Sequence, residues 1–255
     1  MMTFTIRMVV VATGIFGNIA LGLDDKEIIT PNAPYQCPLT SQPVMYRDCS
    51  EIQAECHSQA SGVYQIQPEG YGAFKVYCDF DTDEGGWTVF QRRLDGSVNF
   101  DKLWTDYKNG FGFLNTEFWL GNEKLAYLTA QKNYELRIDF RNKHGDPYYA
   151  SYDHFRVGDS GNYYNLLLGV YSGNSGNDAL DYHRNMSFST SDADHDEHDN
   201  SNCASVNGGG WWFKTCDTSN LNGRYGIEED VGAVEWNGLP GGSYALKFTE
   251  MKIRP

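Results

Sequence analysis

Between Asn185 and Gly223 the chain reads NMSFSTSDADHDEHDNSNCASVNGGGWWFKTCDTSNLNG, an acidic, oxygen-rich run set against a loop between two cysteines that carries glycines and two tryptophans. It lies in a stretch of about fifty residues beyond Asp178, rich in Gly, Asn, Asp and Ser, with no regular hydrophobic pattern. So long a patternless stretch inside a domain needs an ordering agent other than secondary structure, and a metal with a disulfide would serve. Asp192, Asp194 and Asp196 recur every second residue, so an irregular backbone turns their carboxylates inward with carbonyls between them, the donor set of a hard cation. This pattern reads as a calcium site. It lacks the sixth-position glycine and twelfth-position glutamate of a helix-loop-helix calcium loop. Two other readings compete: a solvated acidic loop, and a zinc site using His195 and His198, although structural zinc prefers four nitrogen or sulfur ligands.

The first 22 residues resemble an export signal, with Arg7 at the positive end, Met8 to Phe16 as the apolar core and Ala20-Leu21-Gly22 as a small-x-small cleavage site. Gly14, Gly17 and Asn18 interrupt the run, which is short for a membrane anchor, and no later stretch is long and apolar enough to span. The expected location is therefore secreted and extracellular. There the six cysteines, Cys37, Cys49, Cys56, Cys78, Cys203 and Cys216, read as disulfides, with fifteen connectivities open. Asn185-Met186-Ser187 is an N-glycosylation acceptor in the same compartment. A formal net charge of −14 excludes a nucleic-acid surface, since no basic patch answers phosphate.

Residues 23–45 are acidic and then Pro-rich, an arm without periodicity, and no Gly-X-Y run or heptad encodes a stalk. From Asp48 the pattern changes. Cys49 to Ala60 suits a short helix, Gly62 to Asp81 paired strands, and Trp87 to Arg93 (WTVFQRR) a strand. Gly121 to Gln131 reads as a helix with Asn122 as its cap, followed by strands at Tyr134 to Phe140, Tyr152 to Val157, Tyr163 to Tyr171 and Tyr244 to Ile253. With 27 glycines, 17 tyrosines and 14 phenylalanines, short strands and turns outweigh long helices. No GxSxG elbow, HExxH or phosphate-cradling loop is present, so a binding protein rather than an enzyme is expected.

GGWTVFQRR at Gly85, FWLGNEKL at Phe118, YELRIDF at Tyr134, FSTSDADHD at Phe188, GGWWFKTC ending at Cys216, SNLNGRY at Ser219 and the terminal KFTEMKIRP together resemble the fibrinogen-related domain, from about Tyr46 to Pro255. Ficolins, tachylectins, tenascins, angiopoietins and the fibrinogen chains share that module. The resemblance implies an α+β fibrinogen C-terminal-like fold: a small disulfide-tied N-terminal part, a central twisted antiparallel sheet with flanking helices, and a loop-rich C-terminal part holding calcium and the ligand pocket. It divides the chain into a signal peptide (1–22), an arm (23–45) and one domain (46–255). It also implies Cys49–Cys78 and Cys203–Cys216 bridges. Calcium would take the side chains of Asp194 and Asp196 and the backbone carbonyls of His198 and of Asn200 or Ser201, with Asp192 behind them.

Recognition of acetylated sugars or amines in this family implies a pocket beside the calcium, built partly on a cis peptide at Thr215–Cys216. Here its residues are Asn207, Trp211, Trp212, Thr215, Cys216, Asp217 and Asp230. Three depart from the lectin pattern: Asp217 stands where a histidine is common, Asn207 where an aromatic is common, and Asp230 where a Tyr-Ala pair would help form the acetyl funnel. These changes make the slot more polar and more acidic. The favoured expectation is a secreted, calcium-dependent pattern-recognition lectin of innate immunity, binding microbial glycans or peptidoglycan components. The alternative is a protein-binding module of the angiopoietin or tenascin kind, binding a receptor or matrix component. Cys37 and Cys56 are left over, to pair with each other or, through Cys37, to link chains into a homo-oligomer.

Overall fold

The computed structural model describes residues 44–56, 60–227, 231–240 and 245–255. The signal peptide, nearly all of the arm, Cys37 and Asp230 lie outside the described residues. Asp48 starts the first element: its carboxylate accepts from Glu51 N (3.0 Å), and Glu51 reaches back to Arg47 N (2.7 Å). The result is a reciprocal cap on α1 (Cys49–Glu55). The helix stops at Glu55 rather than running to Ala60, and Cys49 is bridged to Cys78 on β2. Cys56 is also disulfide-bonded.

Strands β1 (Gly62–Ile66), β2 (Phe74–Asp79) and β3 (Trp87–Arg93) follow, then α2 (Trp104–Asn109), β4 (Phe111–Gly112), β5 (Phe118–Trp119) and α3 (Asn122–Gln131). Next come β6 (Tyr134–Asn142), β7 (Pro147–Val157), β8 (Leu166–Leu168) and β9 (Tyr171–Gly173). After the bend come α4 (Cys203–Asn207), β10 (Ser219–Asn220), β11 (Glu235–Trp236) and β12 (Leu246–Arg254). The main sheet runs β1-β2-β3-β12-β6-β7-β8, with antiparallel neighbours throughout. The last strand of the chain is thus inserted at its centre, between β3 and β6.

All seven residues of β3 are buried, as a central strand covered on both faces requires. Its polar residues are committed. Arg92 pairs with Glu250 at 2.5 Å, and Lys252 on β12 meets Asp79 and Asp139 at 2.7 Å and Glu250 at 3.1 Å. Glu117 is fully buried, and its carboxylate accepts the amide hydrogens of Leu94, Asp95, Gly96 and Val98 at 2.8–3.1 Å, shaping the turn after β3.

Two further sequence expectations change. Asn122 is the first helical residue and not a cap; its side chain accepts from Trp119 Nε1 at 2.8 Å inside the core. Tyr163 and Tyr164 do not begin a strand. Both adopt left-handed φ values, 49° and 53°, in the turn before β8. Helix α2, unmarked by periodicity, takes its first-turn cap from afar, because Asp192 accepts from Trp104 N at 2.8 Å.

Candidate functional site

The C-terminal loops hang from the central sheet by two side chains of β3. Gln91 Nε2 donates to Leu221 O (2.8 Å) and Asn222 Oδ1 (3.2 Å), and Arg93 Nη1 donates to Gly223 O (2.6 Å). Asn222 in turn donates to Gly210 O at 2.9 Å, which brings the glycine run over the aromatic core. At Gly210 any Cβ would lie 2.7 Å from the Phe188 ring and 2.8 Å from the Tyr107 ring, so the close approach requires glycine.

Cys203 and Cys216 are bridged with Cα atoms 5.0 Å apart, closing the ring expected from the resemblance. The acidic run is laced to that ring. Ser189 and Trp211 exchange backbone hydrogen bonds (2.9 and 3.1 Å), and Glu197 N donates to Lys214 O (2.8 Å). Asp196 spans the junction: one carboxylate oxygen accepts from His198 N and the other from Cys203 N, both at 2.8 Å. Asp194 accepts from Asp196 N at 3.3 Å. Burial, reinforced by the Asp194 charge, raises the Asp196 carboxyl above its ordinary value against the pull of those amides.

Asp192 is turned away, onto α2 and the Thr190 hydroxyl. His195 gives its Nδ1 to the Phe188 carbonyl at 2.8 Å and stacks on Tyr163 at 4.1 Å. The His198 ring faces Asn200 N and the Ser201 hydroxyl. Both imidazoles are therefore occupied within the loop. Among the described residues no three His, Cys, Asp or Glu side chains converge, so the ligand set of a structural zinc is not formed. Asp194 and Asp196, adjacent in the loop, offer carboxylate oxygens, the donor type that calcium prefers.

A residue with no signal in the sequence organises the ring's far side. His183 is fully buried in a 3-10 turn, Nδ1 2.7 Å from Trp212 O and Nε2 facing Thr218 N (3.4 Å) and Ser219 N (3.3 Å). A neutral ring protonated on Nδ1 satisfies all three contacts. Burial pushes its pKa down to about 4, so the neutral form persists.

The expected pocket residues separate into three sets. Trp211 and Trp212 are fully buried, packed edge-on with centroids 5.1 Å apart, and Trp212 continues onto Phe188 and Trp119. Core packing takes up both rings and neither is exposed, which corrects their assignment as ligand walls. Asn207 is buried at the end of α4 with its amide nitrogen unpartnered. Thr215 is exposed, its hydroxyl against that of Tyr182. The peptide before Cys216 is trans. The chain reverses there because Cys216 itself takes a left-handed φ of 63°, held by the Lys214 N to Cys216 O bond (3.1 Å).

Asp217 is half-buried beside Glu235, the first residue of β11, which the sequence did not single out, and its Oδ2 is buried without a hydrogen-bond partner. Burial pushes Asp217 up to about 6; burial and then the Asp217 charge push Glu235 up to about 7. No lysine or arginine among the described residues is ion-paired with either. Two carboxyls this close, with no cation paired to them among the described residues, favour protonation of one of them. Asn220, cross-strand partner of Glu235, is fully buried with both side-chain amide atoms unpartnered. Asn185, the glycosylation acceptor, is exposed at a left-handed φ of 65°.

Residues 45–255 match the family described as the C-terminal globular domain of fibrinogen beta and gamma chains. Fibrinogen-like protein A of Apostichopus parvimensis is 50% identical over 225 residues, 86% of this chain and 79% of that protein. Human angiopoietin-related protein 7 is 43% identical over 223 residues, 85% of this chain and 63% of that protein. Fibrinogen C domain-containing protein 1-A of Xenopus laevis is 44% identical over 87% of this chain, which spans only 49% of that relative. Among solved structures, the fibrinogen-like globe domain of human ANGPTL2 superposes with a TM-score of 0.78 at 42% identity, covering 82% of this chain and 99% of that one. Lamprey fibrin D-dimer, complexed with the peptide Gly-His-Arg-Pro-amide, gives 0.76 at 36% identity, covering 84% and 74%. No helix among the described residues is long and apolar enough to cross a membrane.

Proposed function

Because the chain belongs to the family of the fibrinogen beta and gamma C-terminal globular domain, we propose that it is an extracellular, calcium-braced module that binds a basic peptide segment of a protein partner. The ligand face is the ring closed by Cys203 and Cys216, with Asp217 and Glu235 at its edge. The observation that carries this reading is that Trp211 and Trp212 are fully buried, whereas Asp217 and Glu235, ion-paired with no lysine or arginine among the described residues, are partly exposed beside the ring. The peptide in the lamprey fibrin complex has a basic composition, and angiopoietin-related relatives fit a protein partner.

Calcium would be held by the carboxylates of Asp194 and Asp196 with the carbonyls of His198 and Asn200. When bound it supplies positive charge between two carboxylates that otherwise repel. Asp196 transmits that order to the ring, since its second oxygen holds the amide of Cys203. The ion shapes the face and does not touch the ligand.

The lectin reading ranks second, because the rings that would stack on a sugar beside the ring are in the core. Parallel retention on immobilised Gly-His-Arg-Pro-amide and on N-acetylglucosamine resin, with calcium or chelator, separates the two. The protein-binding reading expects calcium-dependent retention on the peptide and no calcium-dependent retention on the sugar. The reverse pattern would overturn it.

A further inference from the structure

A concavity of about 510 Å³ lies between the outer face of α3 and the turn joining β7 to β8. Its size falls within the range of about 300–1,000 Å³ typical of small-ligand sites. It involves none of the calcium-loop or ring residues. The helix opens it with small side chains, Ala126 and Ala130, one turn apart, and Tyr127, three positions before Ala130, stands beside them in the lining.

Tyr127 is 38% exposed, and its ring is braced by Tyr71 at 4.8 Å, so the lining carries a fixed but accessible aromatic surface. Planar polar groups accompany it: Glu123, Arg156, Asp159, Asn162 and Asn165. Several are held in place beforehand. Asn162 donates through N and Nδ2 to Asp159 Oδ1 (3.1 and 2.9 Å). Gly158 N donates to Asn165 O at 2.9 Å, and a Cβ at Gly158 would fall 2.0 Å from the Asn165 amide oxygen.

The turn that carries these groups is strained, with Tyr163 and Tyr164 both left-handed. Trp212 Nε1 holds the Tyr164 carbonyl at 2.7 Å, Phe188 N holds that of Tyr163 at 2.9 Å, and the Tyr164 hydroxyl is bonded to Glu123. Strain of this kind in non-glycine residues persists only where the surroundings impose it, and it gathers at functional sites.

We propose that this groove binds a neutral oligosaccharide, independently of calcium and of the ring. An aromatic face beside fixed planar donors and acceptors matches a sugar's apolar ring face and hydroxyl rim. One arginine among two carboxylates, in a chain of net charge −14, disfavours anionic glycans. An extended peptide is disfavoured because the outer edge of β8 is already used: Leu166 N donates to Met186 O (3.0 Å) and Asn185 N to Leu166 O (2.7 Å).

The test is a printed array of neutral gluco-, galacto-, manno- and N-acetylhexosamine oligosaccharides, probed with the whole protein in calcium and in chelator. Positive sugars are then titrated in solution against the wild type, Tyr127→Ala and Ala130→Trp, with thermal melts to establish folding. Both positions are exposed, so folded variants are expected. The proposal expects binding that survives chelation, falls about tenfold in Tyr127→Ala and disappears in Ala130→Trp, where the indole fills the groove. Silence across the array at millimolar sugar overturns it, as does binding that chelation abolishes or that both variants retain. Peptide capture blocked by Ala130→Trp, with sugars silent, also overturns it.

Discussion

His183 Nδ1 lies 2.7 Å from the carbonyl oxygen of Trp212, while the other nitrogen of the same ring faces the amides of Thr218 and Ser219. One imidazole thus joins the inner side of the cysteine-closed ring to the strand that leaves it. Replacement by phenylalanine keeps the volume but strands three buried backbone groups, so His183→Phe should cost about 3 kcal/mol in urea unfolding. A loss below about 0.5 kcal/mol would mean that the ring is organised elsewhere.

The Asp217–Glu235 pair makes stability depend on pH in a definable direction. Both carboxyls are raised in the fold, to about 6 and about 7, from ordinary values near 4 in the unfolded chain. Their protonated contribution is complete below about pH 4 and is lost as pH rises through 6 to 7. His183 acts oppositely, being held neutral: its contribution is present above about 6.5 and is lost as pH falls toward 4. The comparison that isolates the pair is wild type against the double variant Asp217→Asn, Glu235→Gln. Between pH 4 and 8 the wild type should lose on the order of 2 kcal/mol relative to the variant, a figure reduced for partial solvent screening. Parallel pH profiles would mean that these two carboxyls are not raised by the fold.

Glu117 presents a fully buried carboxylate to four amides and lies beside Arg93, whose guanidinium holds the Gly223 carbonyl. Glu117→Ala should destabilise by about 3–5 kcal/mol, because it leaves a buried cation and several amides without their partner. Hydrogen exchange should quicken at residues 94–98 and at 221–223 together. Acceleration confined to the first segment would break the mechanical link drawn through Arg93.

Calcium added to chelated protein should raise the melting temperature. At a hundredfold excess over Kd the stabilisation is ~2.7 kcal/mol, and Asp194→Asn with Asp196→Asn should remove it. Differential scanning fluorimetry reads this directly. An equal shift in the variant would place the ion elsewhere.

Much of the sheet is legible in the sequence, since β3 and β6 carry β-branched and aromatic residues in runs that burial alone explains. The cysteine ring and the acidic run are legible because their chemistry is local. Helix α2 is not: Trp104 to Asn109 has no apolar stripe, and its cap is Asp192, 88 positions away. Nor is His183 or Glu235. Each acquires its role from groups brought close only by the fold, such as the Trp212 carbonyl 29 residues beyond His183. Trp211 and Trp212 illustrate the converse: their sequence context favours a core while leaving a ligand wall open, and the packing against Phe188 and Trp119 places them in the core.

The most direct test of the acidic ligand face is calorimetric titration of Gly-His-Arg-Pro-amide into the calcium-loaded wild type and into the Asp217→Asn, Glu235→Gln double variant at pH 8. Saturable binding by the wild type, weakened about tenfold or more in a variant of unimpaired melting temperature, is the predicted result. Equal affinity in the two proteins would contradict it.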